Sequence, residues 1–201
     1  MINKSRKLLL LTALAGAVSL GFHANQSNAT DVDVDASLIA GVAVSLTKNA
    51  DMDFGGVDFV TGAHNGDLQL GTDDAVLLAG GAAGLTLNGA PASGSVTVNS
   101  ATGTVDVSCD ATATVEDGTR TLPISAVAWD TTAVAFTLAS NTCAGLGAGA
   151  VAVNTTATPN PVILIGAQID IAANALDGSV GGTPYDTTTS ADPVTFRVVF
   201  Q

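Results

Sequence analysis

Cys109 and Cys143 are the only cysteines of this 201-residue chain, and His64 is the only histidine beyond the first 29 residues. Two cysteines can close a disulfide or supply half of a zinc site. Tetrahedral zinc takes four ligands, and two cysteines and one histidine so far apart in sequence do not make the set. A Ser–His–Asp triad would have to use His64, which sits in the loop-like stretch GAHNGD at 62–67. No Gly-x-Ser-x-Gly turn is present to present a serine nucleophile. Asp-Thr-Gly and Asp-Ser-Gly, the half-sites of aspartic proteases, are also missing. Gly145, Gly147 and Gly149 alternate, but no helix-forming stretch follows them to complete a phosphate-binding turn. Asp73-Asp74 and Asp51-x-Asp53 carry the right donors for calcium without the twelve-residue loop pattern that would aim them. Eighteen acidic residues offer many carboxylate pairs, and nothing in the sequence selects one for sugar hydrolysis. The expectation is a protein with no catalytic residues, cofactor or metal.

What remains chemically is the cysteine pair, and the chain's beginning says where it would oxidise. Lys4, Arg6 and Lys7 precede the apolar run LLLLTALAGAVSLGF at 8–22, and Ser27-Asn28-Ala29 offers small residues at a cleavage site. This is the pattern of a secretory signal peptide over 1–29; an uncleaved membrane anchor is the alternative. Removing 29 of the 201 residues leaves 172, enough for one domain with a sizeable core. Export favours a Cys109–Cys143 disulfide over a pair of buried free thiols. Closing such a loop contributes roughly 3–4 kcal/mol in the chain-entropy model.

Charge narrows the partners. The formal net charge of −12 becomes −15 once the three basic leader residues leave, because every acidic residue lies beyond them. Lys48, Arg120 and Arg197 are then the only basic residues, so nucleic acid and anionic membrane surfaces are excluded as charge-driven partners. No membrane insertion is expected after cleavage.

The elements that must hold the cysteines read as strands. Ala, Val, Thr and Gly dominate, and short apolar runs are broken by Gly, Asn, Asp and Pro. Alternation marks strands at 95–100, 103–109, 122–129 and 161–172, with Gly166 a possible bulge. Residues 111–117 read as a continuation of the second strand, and 133–139 as the partner of 122–129 across a hairpin at 130–132. The stretches 62–67, 143–150 and 177–186 read as loops. DPVTFRVVFQ closes the chain, with Val194, Phe196, Val198 and Phe200 on one face. Near the other end, Val32, Val34, Ala36, Leu38, Ala40, Val42, Val44 and Leu46 keep one apolar register while Asp31, Asp33 and Asp35 hold the other. Such a run would span about 50 Å if extended, more than a small sandwich needs. It reads either as an arm joined to a first strand, or as two strands folded back at Gly41.

These ends resemble those of chaperone–usher pilins. The final strand is similar to the pilin C-terminal strand, with Phe200 at the penultimate aromatic position, and residues 30–46 look like a donor arm followed by a first strand. LTKNADMDFGGV at 46–57 is similar to the Leu-x-Phe-Gly signature of secreted pilin-like β-domains, which include the spore coat protein U family and a related domain of unknown function. Met52 stands in the Leu place ahead of Phe54 and Gly55. TVDVSCD at 104–110 resembles the Val-x-Cys strand of the spore coat U group, although that group usually carries an earlier cysteine and here none precedes Cys109.

The resemblance implies an immunoglobulin-like antiparallel β-sandwich over 41–201, with an extended N-terminal strand and a donor arm at 30–40. It implies a secreted fibre subunit that binds other copies or related subunits by strand donation. A periplasmic chaperone and an outer-membrane usher would handle it on the way to the cell surface. A self-complete secreted β-domain, such as a glycan-binding adhesin that does not polymerise, is the competing expectation.

Overall fold

Period-two sequences become strands wherever one face can be covered, and that governs most of this chain. The computed structural model describes residues 34–36, 44–100, 103–117, 119–179, 185 and 192–201. The expected signal peptide, Val32, Leu38, Ala40 and the expected fold-back at Gly41 lie outside the described residues.

In chain order the strands are β1 (Val34–Ala36), β2 (Val44–Ala50), β3 (Gly56–Phe59), β4 (Asn65–Leu70), β5 (Val76–Ala83), β6 (Leu85–Asn88) and β7 (Gly94–Ser100). They continue as β8 (Thr104–Cys109), β9 (Ala113–Glu116), β10 (Thr121–Asp130), β11 (Asn141–Thr142), β12 (Val151–Asn154), β13 (Val162–Ile171) and β14 (Phe196–Phe200). A 3-10 turn covers Phe136–Leu138, and no α-helix occurs among the described residues.

The larger sheet is built around β13. Its continuous apolar run pairs antiparallel with β10 on one side. On the other side it pairs with β7 through Val162–Ile165, then with β4 through Ala167–Ile171. Gly166 stands at the changeover, where an added Cβ would lie 2.2 Å from the Leu70 carbonyl oxygen; only glycine lets the two backbones approach so closely. The sheet extends to β2 beyond β7, to β5 beyond β4, and to β9 and β11 beside β10. A smaller sheet has the order β1-β14-β8-β12, and β3 pairs with β6 in a separate ribbon. Val96, Val98, Ile163 and Ile165 of the larger sheet share one core with Val105, Val107, Phe196 and Val198 of the smaller. Each such side chain, fully buried, contributes about 1.5–3 kcal/mol. The architecture is all-β and sandwich-like.

Within the run from Val32 to Leu46 the described parts fall in two sheets: β1 belongs to the smaller and β2 to the larger. Other sequence expectations change. β9 does not prolong β8; it turns back onto β10, pairing Glu116 with Thr121 and Ala113 with Ile124. The Asp117 carboxylate closes that hairpin by accepting from the N–H groups of Thr119 and Arg120.

Residues 133–139 form no strand. Asp130 accepts from the Thr132 N–H and hydroxyl and from the Ser140 N–H, which folds 130–140 into a closed loop. Thr72 then captures Val134 by backbone and side-chain bonds, and β11 takes the free edge of β10 instead. The loop expected at 62–67 already becomes β4 at Asn65.

Candidate functional site

The chain's last strand is held along its length. Phe196, Arg197, Val198, Val199 and Phe200 pair antiparallel with Cys109 back to Val105. The ladder continues past both ends: the Asp110 N–H donates to Thr195, and the Gln201 N–H donates to Thr104. The Gln201 amide also donates to the Asp106 carboxylate. Phe196 and Val198 are fully buried, Val194 just ahead of the strand is buried, and Phe200 is half-buried. The Phe200 ring lies over Gly103, where an added Cβ would come within 2.6 Å of it.

The opposite edge of β14 receives the N-terminal segment of the same chain. β1 runs parallel to β14, with Val34 beside Phe196, Asp35 beside Arg197 and Ala36 beside Val198. This register sets the apolar arm positions beside buried residues and the acidic position beside an exposed one. Connectivity explains the direction. β2 starts at Val44, paired with Ser100, and it also packs near β14. An arm running toward the Phe200 end can therefore reach β2 across the seven residues 37–43.

Cys109 pairs with Phe196 in the ladder, and its disulfide to Cys143 ties this sheet to the margin of the other, with Cα atoms 5.0 Å apart. The Cys143 N–H donates to Val127 of β10, and the Gly145 N–H donates back to Cys109. The bond thus fixes β8, the inner neighbour of β14. Phe54 and Gly55 lie elsewhere, just ahead of β3. Phe54 is half-buried against the core, and the Asp53 carboxylate accepts the Gly55 N–H.

His64 is a buried structural pin. Its Nε2 accepts the Leu176 N–H at 2.9 Å, so the proton sits on Nδ1 and is donated to the Val60 carbonyl at 3.0 Å. The ring also meets Phe59, with centroids 4.9 Å apart. Both nitrogens are engaged by backbone groups, and Nδ1 also lies 3.7 Å from the Asp177 carboxylate.

Among the acids, burial raises Asp130, but the bonds from Ser140 and Thr132 outweigh it and bring its pKa down to about 2. The Thr119 N–H, with smaller help from the Thr119 hydroxyl, the Arg120 N–H and Tyr185, likewise lowers Asp117 to about 2. Both carboxylates organise turns. Among the described residues no group of acids, histidines or cysteines is arranged to hold a metal, and no helix is long and apolar enough to cross a membrane.

Two features escaped sequence reading. Alternation tells which face a residue takes but not which strand lies beside it, so the β1–β14 pairing had no signal. The position of Arg197 opposite Asp35 had one: it is one of only three basic residues beyond position 29.

No protein-family model, curated protein or solved structure matches this chain.

Proposed function

We propose that this chain is a pilin-like structural subunit: an exported, immunoglobulin-like β-sandwich that joins its neighbours by strand donation, with the arm of one copy lying along β14 of the next. One observation carries the reading. The segment just past the expected leader occupies the edge of the C-terminal strand, so the two ends of the chain meet as adjacent strands. An edge completed by three residues in one short parallel pairing is easily exchanged for the same segment of another copy.

The disulfide supports an oxidising compartment. In this reading a periplasmic chaperone covers β14 before assembly, an outer-membrane usher passes the subunit outward, and the fibre stands on the cell surface.

The second reading is a self-complete secreted β-domain, a binding module that stays monomeric. The pairing of β1 with β14 of its own chain favours it. For a glycan ligand the support is thinner, since every described aromatic ring is buried or half-buried and none is exposed for stacking.

Substitutions separate the two. In a donor strand, Val34→Asp or Leu38→Asp abolishes oligomers and leaves the domain's melting temperature within a few degrees of wild type. Ser37→Asp, in the acidic register, does little. In a self-complete domain, Leu38→Asp lowers the monomer's melting temperature instead. Oligomers that persist in both apolar variants would end the donation reading.

A further inference from the structure

Three basic residues serve the whole chain beyond the leader, and two are committed locally. Lys48 pairs with Asp51 at 2.8 Å and Arg120 with Asp117 at 3.2 Å. Arg197 pairs with none of the carboxylates whose side chains the structure describes. It is exposed in the middle of β14, flanked by the buried Phe196 and Val198. Its neighbour in β8 is Ser108, a buried hydroxyl already accepting the Gly147 N–H, and the guanidinium lies near that loop, where a Cβ added at Gly147 would be 3.7 Å from Nη1. Its neighbour on the other side is Asp35 of β1. Among the described residues, the one basic side chain without a carboxylate partner therefore stands, by backbone register, opposite an acidic position on the strand edge where β1 lies.

We propose that Arg197 is the register-setting residue for the arm: it selects an extended strand with carboxylates at alternate positions, and the occupant is the Asp31–Asp35 segment of a second copy of this chain. The inference rests on the strand-donation reading for its source of the arm. Apolar matching alone is weak here, because Val34 and Ala36 are small and the arm repeats Val, Ala and Leu at every second position. A one-residue slip would bring Val34 or Ala36 beside Arg197 and Asp35 beside the fully buried Val198 or Phe196. An unpaired carboxylate does not tolerate such a site. A guanidinium at position 197 adds attraction in the correct class of registers, and so discriminates more than it strengthens. The acidic stripe, which looks like simple solubilising charge, becomes a recognition feature.

The test is a charge swap in the full mature chain: Arg197→Glu, Asp35→Arg, and both together. Two readouts are taken: the oligomer distribution by native mass spectrometry, and hydrogen exchange of the β1 and β14 amides. Each single variant should lower the oligomer fraction and the β1 protection about tenfold, since like charges then face one another. The double variant should restore both. If no variant forms oligomers, wild type included, but β1 protection falls in the singles and returns in the double, strand donation fails while Arg197 still sets the register within its own chain. Singles indistinguishable from wild type, or a double no better than the singles, would overturn the role given to Arg197.

Discussion

β1 and β14 are neighbours in one sheet and are held by opposite means. β14 has five antiparallel pairs with β8, backbone bonds beyond each end, and two fully buried side chains. β1 has three pairs, all parallel, and among the described residues no strand on its far side. Parallel pairs are slightly weaker per residue, and a short edge strand gains little from its neighbours. The difference is one of anchorage: β14 is part of the core, while β1 is held by one short edge pairing, which is what the proposed exchange of the edge's occupant requires.

The largest expected effect strikes the permanent side. Phe196→Ala should cost about 3–5 kcal/mol in urea unfolding, the range for emptying a buried phenylalanine site. A loss near 1 kcal/mol would place β14 on the same footing as β1 and break the contrast. Next comes the disulfide behind β8. Replacing both Cys109 and Cys143 by Ser should remove about 2–4 kcal/mol. Increased proteolysis near 143–150 without loss of the β8–β14 ladder by hydrogen exchange would sharpen the contrast further.

Acid probes the larger sheet instead. The folded pKa of Asp130 lies near 2, below its ordinary value of 3.8. Its contribution is thus fully present above that ordinary value and is lost as pH falls toward 2. The urea midpoint should drop across that window. Asp130→Asn, which keeps an acceptor but cannot titrate, should flatten the slope, while β14 exchange stays slow in both proteins. The smallest effect belongs to the arm: Asp35→Asn should change the unfolding free energy by less than about 1 kcal/mol, as exposed charges do.

Legibility in the sequence followed the same divide. β7 alternates strictly between buried and less buried residues, and β14 does so from Phe196 to Val199, so their strands and core faces could be read directly. The cysteine pairing followed from count and compartment. β5 could not be read, because VLLAGGAA has no alternation and its paired glycines break the pattern. The 133–139 segment alternates well enough for a strand, yet the Asp130 carboxylate ties together Thr132 and Ser140 on either side of it and the Thr72 hydroxyl captures its backbone at Val134. Such competition between local pattern and a distant acceptor leaves no periodic trace. Strand adjacency is likewise invisible, which is why β1 beside β14 came from the structure.

Whether the edge beside β14 is filled by a neighbour is tested most directly by native mass spectrometry of the chain purified without residues 1–29. The account predicts a ladder of non-covalent whole-number multiples of one subunit mass, surviving dilution and collapsing to monomer in Val34→Asp. A single monomer mass at every concentration, unchanged by Val34→Asp, would contradict it.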